Sequence, residues 1–173
     1  MSTPEFRGPE GRRNPLSPYY RFRQLPIAAI INNLSIVFEL HAMIENKGFV
    51  AVDFYDGCMI YDFDEDDLHF CDFDCYVQGA FVLEEDRLPG STRFMAPEEF
   101  IKGSVIDFKT TVFNLGAAAF VYLGNGVDKS LEGWTAVEPL YHVAKKAVSP
   151  NREERFANVN EFYRRWNEAL TVN

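Results

Sequence analysis

The stretch VFNLGAAAFVYL, residues 112–123, is the longest apolar run in the chain and the feature that most restricts its fold. It is too short to span a bilayer, which takes about 20 apolar residues. Extended back to Phe108, it reads as a helix that is apolar almost all round. Such a helix has no face to give to solvent, so other elements must enclose it. The chain has 173 residues for this task, enough for one domain with a real core and marginal for two.

The candidate enclosing elements are amphipathic. From Pro26 a helix is expected, with Ile27, Ile30, Ile31, Leu34, Val37, Phe38 and His41 on one face and Gly48 as its stop. Residues 136–148 and 158–170 read as two more helices, the second capped by Asn158 with Glu161 as the return partner. Between the first helix and the apolar run, MIYDF (59–63) and LHFCDF (68–73) flank an acidic turn and predict a β-hairpin. Residues 74–95, with Pro89-Gly90, read as a loop. Residues 1–25 repeat Pro, Gly and Arg without period and are expected to be a flexible N-terminal linker or a segment that orders on docking, with Tyr19-Tyr20 as an anchor onto the rest. The basic cluster RGPEGRR (7–13) reads as a solvated tail. The expected class is α+β and mainly helical, with residues 26–173 as the folded unit.

Composition excludes several functions. Hydrophobic residues make up 47% of the chain, a globular composition. The formal net charge of -9 argues against nonspecific nucleic-acid binding and against an anionic membrane surface. The three cysteines form no C-x-x-C pair, and the scattered histidines form no H-E-x-x-H, so neither a disulfide framework nor a zinc site is expected. No stretch resembles a signal peptide, and reduced thiols point to a cytoplasmic protein. DFDEDD (62–67) opens like a calcium loop. It has Asp67 where that loop needs Gly and Phe73 where it needs Glu, so an acidic hairpin turn is the better reading.

Four pieces then fall into an order. Asp53 stands in a loop after a helix, in GFVAVDFYDGC. Asp72 follows the hairpin 19 positions later, in CDFD. GSTRFMAPEEF (90–100) comes next, with Ala96-Pro97-Glu98, and the apolar helix follows. Together these resemble the C-terminal lobe of the eukaryotic-like protein kinase fold, over roughly residues 26–170. The resemblance implies a role for each matched position. Asp53 falls at the catalytic-loop aspartate that orients an acceptor hydroxyl and takes its proton. Asp72 falls at the magnesium-binding aspartate, with Phe73 as the packing residue of the same motif. Ser91 takes the place of a hydroxyl facing the catalytic aspartate. Glu98 is expected to pair with Arg155 in a structural lock. Asp74 stands where the family has Gly, either as a solvated loop residue or as a further ligand.

This sequence also departs from the family. His-Arg before the catalytic aspartate is replaced by Ala51-Val52, and the following Lys by Tyr55. Cys58 stands at the position of an Asn that contacts the nucleotide-bound metal, and a thiol is too soft for magnesium. Asp56, two residues earlier in the same loop, is the carboxylate available to compensate. No Gly-rich loop and no strand Lys precede the first helix, so the N-terminal lobe is absent from these residues. Either the chain is a piece of a longer protein or the lobe stands alone. The expected function is ATP- and Mg2+-dependent phosphotransfer of the serine/threonine type to a protein or small-molecule hydroxyl, with an N-lobe supplied from elsewhere. The alternative is a pseudokinase-like scaffold or protein-binding module.

Overall fold

The computed structural model describes residues 4–6 and 8–171. In chain order these form a 3-10 turn (Pro4–Phe6), helices α1 (Gly8–Arg13), α2 (Pro18–Arg23) and α3 (Ile27–Asn46), and strand β1 (Phe49–Val50). A 3-10 turn (Asp56–Cys58) leads into the hairpin β2 (Met59–Asp62) and β3 (Asp67–Phe70), followed by β4 (Val77–Gln78) and β5 (Phe81–Val82). A second 3-10 turn (Pro97–Phe100) and β6 (Val105–Ile106) precede α4 (Phe108–Leu123), α5 (Glu138–Ala147), a third turn (Arg152–Glu154) and α6 (Val159–Leu170). The class is α+β and mainly helical. The strands make three antiparallel pairs: β1 with β4, β2 with β3, and β5 with β6.

The apolar run sits at the centre. Every residue from Thr110 to Leu123 in α4 is buried. Asp107 caps the helix, accepting from the Lys109 amide at 2.9 Å, while Thr110 Oγ1 accepts from the Asp107 amide. α3, α5 and α6 enclose it. Gly116 sets the α4–α5 spacing, since a Cβ at this position would lie 2.6 Å from that of Ala147.

α3 follows the expected stripe from its second turn onward, burying Ile30, Leu34, Val37, Phe38, His41 and Ala42. Ile27, in the first turn, is 37% exposed, and Asn33 joins the buried face by donating to the Ala29 carbonyl. By length and composition α3 would pass for a membrane-crossing helix. Here it is a core helix. Phe38 meets Phe162 and Trp166 edge-on at 4.8 and 4.9 Å, and Trp166 Nε1 donates to Ser35 Oγ at 3.0 Å. Glu45 accepts from the Val159 amide at 2.7 Å, placing a carboxylate at the N-terminus of α6. Asn158 caps that helix as expected, and Glu161 returns to the Ala157 amide.

One expectation needs correction. Residues 74–95 are not all loop, because β4 and β5 pair with β1 and β6. Each is two residues long and is specified by its distant partner, so no local period marks it. The N-terminal segment takes the docked form of its two expected ones and is partly helical, although residues 1–3 and 7 lie outside the described residues. Ser17 caps α2. Phe22 is 1% exposed and packs edge-on against Tyr61 and Tyr122, while the Tyr19 hydroxyl donates to the Val121 carbonyl at 3.0 Å. A helix of six residues with one deep anchor is too short to show a period.

Candidate functional site

The loop after β1 presents Asp53. Its neighbours Ala51, Val52 and Phe54 are buried and fasten it to the core. The Ala51 amide donates to Thr111 Oγ1 at 3.2 Å, so the central helix α4 fixes the loop directly. Asp53 itself adopts φ 61, in the left-handed region that Asp tolerates better than most residues. Asp72, just past the hairpin, adopts φ 60. The Cys71 amide donates to the Cys58 carbonyl at 3.0 Å and thereby ties the Asp72 segment to the turn that follows Asp53.

The two aspartates feel each other. Burial, and then the negative charge of Asp72, hold the Asp53 carboxyl above the usual carboxylate range. Phe73 packs against Phe70 and Tyr76, with centroids 6.4 and 5.1 Å apart. Tyr76 in turn shares a 2.8 Å hydrogen bond with His41 Nε2. Burial lowers the His41 pKa to about 4, so this imidazole is neutral at pH 7 and belongs to the core.

Ser91 and Asp53 line one cleft of about 390 Å³, together with Tyr55, Asp56, Gly90 and Arg93. Gly8 and Arg12 of α1 form its outer wall. Gly90 brings the two loops together: its φ is 140°, and a Cβ there would stand 3.5 Å from Asp53 Oδ1.

Glu98 and Arg155 meet in a buried bidentate pair, at 2.7 Å from Nη1 to Oε1 and 3.0 Å from Nη2 to Oε2. Arg152 Nη1 adds a contact of 2.5 Å and the Thr110 hydroxyl one of 2.9 Å. Four donors thus converge on one carboxylate, which clamps the 90–100 segment onto α4 and the turn before α6. Burial alone would raise the Glu98 pKa. The hydrogen bonds from Arg155 and Thr110 and the Arg155 charge overcome it and hold the carboxyl below its usual range.

Cys58 and Asp56 support the Asp53 loop from within. Cys58 is fully buried, its thiol donates to the Asp53 carbonyl at 3.4 Å, and burial pushes its pKa up to about 12. It is a neutral buttress under the loop. Asp56 is 2% exposed and binds Arg93 at 2.6 Å. That ion pair joins the Asp53 loop to the Ser91 loop, and sequence reasoning missed it. The partners are far apart in the chain, and Arg93 carries no motif of its own. Thr111, which also holds the loop, was hidden inside the apolar helix. Asp74 is exposed, as a solvated loop residue would be.

Among the described residues, no group of three or more His, Cys, Asp or Glu side chains converges to hold a metal. Magnesium needs fewer protein ligands, since it keeps several waters and takes one or two carboxylates beside phosphate oxygens. Asp53 and Asp72 have the donor chemistry for that role, and a divalent cation would relieve the repulsion between them. No protein-family model matches the chain, and no curated protein matches it.

Proposed function

We propose that this chain is a kinase-like C-terminal lobe that takes part in ATP-dependent phosphotransfer to a hydroxyl, with the rest of the nucleotide pocket supplied by an N-lobe outside residues 1–173. The observation that carries this reading is the coupled pair Asp53 and Asp72. Both stand in left-handed backbone on loops tied to each other, and Asp53 shares its cleft with Ser91. Backbone strain of this kind persists where the surroundings enforce it, and it gathers at functional sites.

In this reading Asp53 orients the acceptor hydroxyl and accepts its proton. A carboxylate with a raised pKa is a better base for that step. Asp72, with Asp53 beside it, would hold the magnesium ion that neutralises phosphate charge when bound. The Glu98–Arg155 clamp and the Asp56–Arg93 pair keep the two loops in register, so that positioning carries most of the effect.

A second reading, a pseudokinase-like scaffold, is favoured by the protonated, buried thiol of Cys58, which leaves only the aspartates to hold a cation. Calorimetric titration of the intact chain with ATP, with and without magnesium, separates the two. The catalytic reading expects magnesium-dependent binding that Asp72→Ala abolishes and Ser91→Ala spares. Binding indifferent to both magnesium and Asp72 selects the scaffold, and absence of binding moves the same titration to the chain joined to its N-lobe, where the catalytic reading requires the magnesium dependence to appear.

A further inference from the structure

A pocket of about 690 Å³ lies where α1 and α2 meet the loops around Arg93 and Asn125. Four arginines line it, Arg12, Arg13, Arg23 and Arg93, and among the described residues no Asp or Glu does. These are four of the 17 Lys and Arg residues of a chain whose net charge is -9. Residues Gly8–Arg13 of RGPEGRR form α1, and Arg12 and Arg13 line the pocket with Arg23 and Arg93.

The arrangement is short of negative charge. Of the four, only Arg93 has a carboxylate partner among the described residues, Asp56. Even so, Arg93 Nε and Nη1 are buried without a hydrogen-bond acceptor, and the guanidinium lies 5.3 Å from the ring centres of both Tyr19 and Phe94. Arg23 is held in place by a 2.6 Å hydrogen bond to the Gly124 carbonyl. Burial, and next the charge of Arg93, depress the pKa of Arg12 against the opposing charge of Asp56, so the repulsion between the two cations is only partly offset. The remaining lining includes the Thr92 hydroxyl and the Gln24 and Asn125 amides, which add hydrogen-bond donors. Guanidinium forks match tetrahedral oxyanions, and a dianion offsets the repulsion among them.

We propose that this pocket binds a phosphate dianion, free or as a monoester. Its volume leaves room for an attached group beyond the phosphate itself. The site shares Arg12 and Arg93 with the Asp53 cleft, but it does not depend on the phosphotransfer reading.

The test titrates the intact chain with inorganic phosphate and with O-phosphoserine, against serine and chloride at matched ionic strength, by calorimetry and thermal unfolding. Both phosphates should bind and raise Tm, and serine should do neither. Tighter binding of O-phosphoserine would assign the site to an esterified phosphate, and equal binding to the free ion. Arg12→Gln with Arg13→Gln should weaken binding about tenfold for each guanidinium removed. Arg164→Gln with Arg165→Gln, which removes the same charge from exposed positions on α6, should leave it unchanged. A Tm rise no greater than that in chloride would overturn the proposal without recourse to any variant. So would equal losses in the two double variants, which would mark general charge attraction in place of a site.

Discussion

Glu98 and Glu99 are neighbours, both buried, and their surroundings push them in opposite directions. Glu98 has two arginines and stays ionised. Glu99 has only the Ala96 amide and the Asn114 side chain as donors, and burial raises its pKa to about 7. Arg155→Ala would leave Glu98 buried with half its partners gone and should cost about 3–5 kcal/mol, read as a lower urea midpoint. The pH dependence has a defined sign. Between the ordinary 4.5 and about 7, folded Glu99 keeps a proton that the unfolded chain has lost, so its contribution falls as pH rises through that window. His41 works the other way. Between about 4 and the ordinary 6.5 the unfolded chain holds the extra proton, so stability rises with pH. The two slopes oppose each other over most of this range. Glu99→Gln keeps an acceptor for both donors and removes one slope. In that variant, stability should climb by on the order of 3 kcal/mol from pH 4 to 6.5, and the parent chain should climb less in denaturant titrations across the same range.

At the scale of elements, legibility followed length. α3, α4 and α6 are long enough to show a 3.6-residue period or uninterrupted apolarity, and Asn158, the cap of α6, stands in plain polar sequence. The β2–β3 hairpin was legible because its partners are adjacent in sequence. β4 and β5 were not, because two-residue strands depend on partners that the chain supplies elsewhere. The α4–α5 contact makes a prediction of its own. Gly116→Ala gains up to about 1 kcal/mol of helix propensity. It also forces a methyl to within 2.6 Å of Ala147 and 3.2 Å of the Ala144 carbonyl, and overpacking of this kind costs about 1–3 kcal/mol. The contact should win, and the variant should melt at a lower temperature than the parent.

The whole molecule closes over its candidate site. Phe22 and Tyr19 anchor the N-terminal helices, and α1 then walls the cleft that holds Asp53 and Ser91. Phe22→Ala should destabilise the entire fold by about 3–5 kcal/mol, since Phe22 shares the core with Tyr61 and Tyr122. Thiol labelling reads the same cooperativity. Iodoacetamide should modify exposed Cys75 in the native state and reach Cys58 only at the rate of opening, so that denaturant accelerates the second reaction and hardly the first.

The amino-acid sequence by itself determined that α4 must be enclosed, that α3 and α6 would turn apolar faces toward it, and that two aspartates 19 positions apart would flank a hairpin. Periodicity, apolarity and spacing are local properties, and a chain carries them before it folds. Tertiary structure alone decided that Asp56 would bind Arg93 and that Cys58 would lie buried as a neutral thiol. It also gathered Arg12, Arg13, Arg23 and Arg93 into one pocket. Charge pairing and desolvation act through space between residues far apart in the chain, and no local pattern encodes them.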